Sequence, residues 1–276
     1  MVRWLPSFRS PPAPPQSAAV RPAPPPAAAA FRLESAARTH VGRVRAHNED
    51  GHVARDEGLW AVADGMGGHE GGEWASGRIV RELGRVGLGE GFEAACAAAK
   101  EAILAANKQI VAEAKKRGKS MGSTVVLLIA AGRNYAILWV GDSRAYLLRG
   151  GKLSRLSRDH SQVQEMVARG LMTAEEAEGH PMSHILSRAV GVQAELEVDR
   201  VDGEVQPGDI FLLCSDGLHG VVGEGEIAGH LARAAPDSAL DQLVELTLAK
   251  GAPDNVTGIA VWASDPTLLS FADSKP

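Results

Sequence analysis

Four aspartates border apolar runs. Asp64 follows Leu59-Trp60-Ala61-Val62-Ala63, Asp142 follows Ile137 through Gly141, Asp216 follows Ile210 through Ser215, and Asp254 immediately precedes Asn255-Val256. Strands converging in one sheet would bring these carboxylates to one rim. Clustered carboxylates repel unless a cation or a proton compensates them. An all-oxygen donor set suits hard cations such as Mg²⁺ or Mn²⁺, and the lack of His and Cys in these clusters argues against zinc. Any one of these aspartates taken alone is better explained as a turn residue at a strand end; their joint presence with the next motif changes that weighting.

The run Val41-Gly42-Arg43-Val44-Arg45-Ala46-His47-Asn48-Glu49-Asp50 adds a second kind of group. Arg45 lies five residues before Asp50. A guanidinium grips phosphate by two parallel hydrogen bonds. Arg45 and the Glu49–Asp50 pair so close together point to one site handling both phosphate and metal.

These residues need a scaffold. GLWAVADG, STVVLLIAAG, NYAILWVGD, RAYLLRGGKL, DIFLLCSDG and NVTGIAVW read as strands bounded by turns. The three middle runs follow one another with short turns, as antiparallel neighbours do. Phe92, Cys96, Ala99, Ile103, Ala106 and Ile110 fall on one face of a helix. Lys115, Lys116 and Arg117 suit its negative end, and Gly118 suits its C-cap. Leu240, Leu243, Val244 and Leu248 predict another helix, with Asp237 as N-cap and Gly251 as stop. Thr173 to Glu176 fits a capping box. Strands, flanking helices, then more strands and helices imply an α+β domain with antiparallel sheets.

Composition narrows the function class. The chain has 276 residues, 45% of them apolar, and a net charge of −5. That charge offers no nucleic-acid footprint and no basic membrane face. Cys96 and Cys214 sit in apolar stretches and read as buried, reduced thiols. No run of about 18 apolar residues is present to span a membrane, and MVRWLPSFRS lacks the apolar core of a signal peptide. The expectation is a cytoplasmic protein. Most of the 15 prolines fall in residues 1–33, which read as a disordered Pro/Ala-rich tail.

The motifs together resemble the PP2C-type (PPM) metal-dependent protein phosphatases in their bacterial form. The matching stretches are VGRVRAHNED at 41–50, VADGMGGHEGGEWAS at 62–76, GSTVV at 122–126, WVGDSRAYLLRGGKL at 139–153, the DHSQVQEMVARG…HPMSHILSRAVG block at 159–191, CSDGL at 214–218 and PDNVT at 253–257. They occur in the family's order across residues 38–263. The resemblance implies a four-layer α-β-β-α sandwich over residues 34–264, with two central antiparallel sheets flanked by helices, a flap at about 159–191 and a C-terminal tail at 265–276. It implies two divalent cations, Mn²⁺ or Mg²⁺. Asp64 would bridge them. The Gly65 carbonyl and the Glu49–Asp50 pair, Asp50 above all, would serve one, and Asp216 and Asp254 the other. Arg45 matches the phosphate-binding arginine. A hydroxide shared by the cations would attack phosphorus directly. The implied substrates are phosphoserine and phosphothreonine proteins, the implied partner is a Ser/Thr kinase, and the expected state is a monomer.

Two departures stand out. Met66 replaces a histidine of eukaryotic relatives, and His69 lies three residues on. Gly220 stands where many relatives carry an aspartate that helps hold a third metal with the residue matching Asp142. Asp142 is therefore expected to act beside the metals rather than as a strong third-metal ligand, with His219 a candidate substitute. His160 and Ser161, in the flap's DHS motif, are candidates to orient it; the remaining histidines read as surface or packing residues. Competing functions are a pseudophosphatase that only binds phosphoproteins, a phosphatase of an anti-sigma antagonist, and a two-metal nuclease. Asp64, Asp216 and Asp254 are all retained, which argues against the first, and the acidic charge argues against the last.

Overall fold

The computed structural model describes residues 31–264, apart from 69, 90, 178, 179 and 183. His69, nearly all of the Pro/Ala-rich tail and all of the C-terminal tail therefore lie outside the described residues. In chain order the strands are β1 (Arg32–His40), β2 (Gly51–Arg55), β3 (Leu59–Ala63), β4 (Gly65–Met66), β5 (Gly122–Ser123), β6 (Val125–Ala131), β7 (Asn134–Val140), β8 (Arg144–Arg149), β9 (Lys152–Arg155), β10 (Asp199–Glu204), β11 (Ile210–Cys214) and β12 (Val256–Ser264). The helices are α1 (Glu70–Leu83), α2 (Phe92–Arg117), α3 (Gln162–Ala168), α4 (Ala174–Ala177), α5 (Asp216–His219), α6 (Glu224–Arg233) and α7 (Pro236–Ala249). β1 starts at Arg32, two residues before the expected domain boundary.

Two five-stranded antiparallel sheets carry the fold. The first runs β1-β12-β11-β8-β9, the second β10-β7-β6-β3-β2, and β4 pairs with β5 beside them. Period-two alternation sorts each strand's side chains between layers. Leu59, Ala61 and Ala63 of β3 face α1 and α2, while Trp60 and Val62 join the apolar layer between the sheets. Phe211, Leu213, Ile259 and Val261 meet them there from the first sheet. The first sheet's outer face, including Tyr146, Leu148 and Leu212, packs on α6 and α7. This is the expected α-β-β-α order. Both faces of the central strands are covered, so they read as continuous apolar runs. Fully burying each large apolar side chain contributes about 1.5–3 kcal/mol.

The α2 face forms as its spacing predicts. Cys96, Ala99, Ile103, Ala106 and Ile110 are buried, and Gly118 closes the helix at φ 61° with its N–H on the Ala114 and Lys115 carbonyls. Thr173 and Glu176 make the reciprocal capping box at α4. The N-cap of α7 differs from expectation. Ala235 occupies it, and Asp237 sits in the first turn, where its carboxylate and that of Asp241 accept hydrogen bonds from Arg38 of β1. The carboxylate ties the helix to the sheet instead of capping its own backbone. Among the described residues no helix is long and apolar enough to cross a membrane.

β8 also departs from expectation. β6 and β7 are neighbours, but β8 belongs to the other sheet and pairs with β11 and β9. The chain crosses between sheets at Gly141-Asp142-Ser143. Gly141 permits this at φ 104°, where any side chain would run into Thr124.

Candidate active site

The crossover explains how the four aspartates meet. They do not come from one sheet. Asp64 and Asp142 leave the ends of β3 and β7 in the second sheet, whereas Asp216 and Asp254 border β11 and β12 in the first. Both sheets end at one edge, and all four residues line a pocket of about 1060 Å³ together with Arg45, Glu49 and Gly65. Asp50 is not among the lining residues; it is set behind them, with Oδ2 accepting the Ser215 hydroxyl at 2.9 Å.

Side chains that the sequence left without a role hold this edge together. Asn255 donates to the carbonyls of Val41 and His47 at 2.8 and 2.9 Å and accepts the Glu49 N–H at 2.8 Å. It thereby fastens the loop carrying Arg45, Glu49 and Asp50 to the start of β12. Thr124 does the same for Asp64: its Oγ1 accepts the Asp64 N–H at 3.1 Å, and its own N–H donates to the Asp64 carbonyl at 2.8 Å. Ser76 of α1 donates to the Glu49 carbonyl at 2.6 Å. The helix approaches this closely because Gly72 and Gly65 carry no side chain; a Cβ on either would strike Glu49. These residues lie inside the PDNVT, GSTVV and VADGMGGHEGGEWAS stretches, so the motifs carried the signal without its meaning.

Electrostatics set the edge apart from ordinary surface. Burial, then the charges of Asp50, Asp216, Asp142 and Asp254, push the Asp64 carboxyl well above the usual carboxylate range. Burial pushes Asp50 up to about 6, despite the Ser215 hydroxyl. Asp142 rises to about 7 through burial and the charges of Asp216 and Asp159, and Asp216 rises through burial and Asp254. Arg45 Nη2 sits 2.6 Å from Asp254 Oδ2, a pairing that raises the guanidinium's pKa further.

Such a cluster asks for positive charge. The donors at its centre are all oxygens, and Asp50 Oδ1 is buried with no hydrogen-bond partner. That set fits hard divalent cations. Among the described residues no three His, Cys, Asp or Glu side chains are already drawn together as a metal cage; Asp254 is held by Arg45 instead.

The outlying candidates are placed as follows. His219 Nε2 lies 3.1 Å from the Asp142 carbonyl oxygen, and burial drops its pKa to about 3, so its polar edge is taken up by backbone. Gly220 and Met66 line the pocket. His184, read from sequence as a surface or packing residue, lies on the pocket wall, near enough to Asp216 to work against the rise of that carboxyl. His40, His180 and His230 are engaged in local hydrogen bonds. Trp60 and Trp139 are core residues, as expected.

With this geometry in place, comparison with known proteins is direct. The family model for protein phosphatase 2C matches residues 40–250. The serine/threonine protein phosphatase PstP of Mycobacterium tuberculosis is 38% identical over 246 residues, covering 88% of this chain but only 47% of that protein. The chain thus spans about half the length of that curated relative. The serine/threonine phosphatase stp of Listeria welshimeri is 39% identical over 236 residues, covering 81% of this chain and 93% of its own. The crystal structure of the PstP catalytic domain with two manganese ions superposes with a TM-score of 0.77 at 36% identity, covering 85% of this chain and all of that one. The chain belongs to the protein phosphatase 2C family.

Proposed function

We propose that this chain hydrolyses phosphoserine and phosphothreonine esters in proteins, using two divalent cations, Mn²⁺ or Mg²⁺, held at the pocket edge. The observation that carries the reading is the convergence of mutually repelling carboxylates from both sheets beside Arg45. Asp64 would touch both cations, with the Gly65 carbonyl and the Glu49–Asp50 pair on one side and Asp216 and Asp254 on the other. When bound, the cations lower the pKa of a water and offset phosphoryl charge.

The chain's own groups do the rest. Arg45 is more than half exposed, so its guanidinium can grip phosphoryl oxygens and stabilise them as charge builds in the transition state. Asn255 and Thr124 keep the Arg45 loop and Asp64 from drifting, which in-line attack of water on phosphorus requires. The serine or threonine oxygen leaves on the opposite side. Cysteine chemistry is not involved: Cys96 and Cys214 are buried away from the pocket, and burial pushes the Cys214 thiol up to about 12.

Such esters arise from a Ser/Thr kinase, which makes that kinase the functional counterpart. We read the site of action as the cytoplasm, consistent with two free buried thiols, and the working unit as a monomer. The test is phosphate release from phosphothreonine and phosphoserine peptides by the purified chain. Release is expected with Mn²⁺ and not with chelator; a chain inert in ample Mn²⁺ overturns the reading.

A further inference from the structure

His160 stands where the 159–191 segment leaves the sheets, and it is 9% exposed. Its backbone bonds in two directions. The N–H donates to the Gly141 carbonyl at 2.9 Å, and the carbonyl accepts the Ser187 N–H at 2.9 Å. Its ring stacks on Trp139, with centroids 6.1 Å apart and planes 20° from parallel. Nδ1 accepts the Gly141 N–H at 3.1 Å, so that nitrogen carries no proton. Nε2 then bears the hydrogen and sits between Asp199 Oδ2 at 3.3 Å and Arg188 Nη1 at 3.4 Å. Asp199 in turn accepts from Arg188 at 2.6 Å.

These contacts join two walls of the pocket. Gly141 immediately precedes Asp142, and both Asp142 and the Ile185–Arg188 run line the pocket, whereas His160 does not. The entry and exit of the segment are also tied by the Ser161–Leu186 bridge and by the Gln162 N–H on the Ile185 carbonyl. We propose that His160 is a positioning residue: it fixes the Ile185–Arg188 wall against the Gly141–Asp142 loop, and so sets how well a phosphorylated peptide fits without touching it. This rests on the phosphatase reading above.

The test is steady-state kinetics of the full chain with Mn²⁺ and a phosphothreonine peptide. In His160→Asn the amide oxygen can replace Nδ1 as acceptor for Gly141. In His160→Gln an amide nitrogen can reach towards Asp199, but Gly141 is left unserved. His160→Ala removes both. The alanine variant is expected to raise KM about tenfold with kcat within about threefold. The asparagine variant should return KM to within about threefold of the unaltered chain, and the glutamine variant should not. A purely structural role would lower the melting temperature without that ordering. Identical KM in all three variants, or KM tracking melting temperature alone, overturns the proposal. Should the alanine variant fail to fold, Asp199→Asn is the second arm. It is expected to speed hydrogen exchange of the Ser187 amide and to raise KM; unchanged exchange and KM also overturn the proposal. If the unaltered chain itself releases no phosphate, the phosphatase reading fails instead.

Discussion

The carboxylate edge and the 159–191 segment face each other across one pocket, yet they are held by different means. Asp64 follows a strand paired on both sides, and Asp216 follows another. Their backbones are further pinned by Thr124 and by the turn of α5. The segment opposite contains helices of seven and four residues; the Ser161–Leu186 bridge closes it on itself, and the Ser123–Val190 bridge joins it to β5. It exposes Leu171 at 69% and Ile185 at 43%. The contrast teaches a division of labour. Groups that must meet reacting atoms to within a fraction of an ångström sit on strand ends, while groups that accommodate varied partners sit on chain with few tertiary ties.

The sharpest way to break that contrast is to remove one edge carboxylate. Asp64→Asn is expected to lower kcat by about 10³-fold in Mn²⁺, because it removes the carboxylate that would hold the cations offsetting phosphoryl charge. The same change should raise the melting temperature in chelator, because it removes a buried carboxyl whose ionisation burial and its acidic neighbours oppose. Phosphate release and thermal melts check both. A variant with near-normal turnover would mean that the edge is not where chemistry happens.

The cost stored in the edge is also readable as pH dependence. Asp142 titrates near 7 in the fold, against about 3.9 for an unfolded aspartate. Below that lower value both states are protonated and Asp142 costs nothing. As pH rises towards 7 the unfolded chain releases its proton while the fold retains it, so stability is lost through that window. Buried His219 works in the opposite sense, since the unfolded chain gains a proton below about 6.5 that the fold refuses. A difference measurement isolates the first effect. In chelator, the stability advantage of Asp142→Asn over the unaltered chain should grow from pH 4 to 7 and level off above, by a few kcal/mol at most at about 1.4 kcal/mol per unit. Urea unfolding at a series of pH values checks it, and a flat difference would show that the carboxylates are not strained.

Arg45 tests the edge from the substrate side. Arg45→Ala should lower kcat/KM about 10²-fold, the loss of a charge-assisted contact worth about 2–3 kcal/mol. It should change folding stability little, because the Arg45–Asp254 pair is partly exposed. Peptide kinetics and melts on the same preparation separate the two outcomes.

Sequence made much of this legible, and unevenly. The α2 face could be read because 3.6-residue spacing is local, and so could the strand runs ending at Asp64, Asp142 and Asp216. What could not be read was which sheet each strand joins. The short link from β7 to β8 looks like a hairpin, and only packing reveals that Gly141 turns the chain into the other sheet. The same limit hid Asn255, whose three hydrogen bonds reach residues 206 to 214 positions away in the chain. Asp237 misled for a related reason: its cap propensity is real, but Arg38 across the helix–sheet interface claims the carboxylate.

The smallest expected effect falls on the segment opposite the edge. Leu171 lies beyond α3, mostly exposed, so Leu171→Ser should change folding stability by no more than about 0.5 kcal/mol. Such an apolar side chain gains only when something covers it. If a bound phosphopeptide buries it in part, serine forfeits on the order of 1 kcal/mol, a KM increase of about fivefold for the peptide. Leu171 is not among the residues that line the pocket, so the KM of a small aryl phosphate should not move. Comparing the two substrates on one variant separates recognition from folding: a stability loss above about 1 kcal/mol would show the segment to be packed like the edge, and equal KM shifts for both substrates would place Leu171 in the chemistry rather than in the choice of partner.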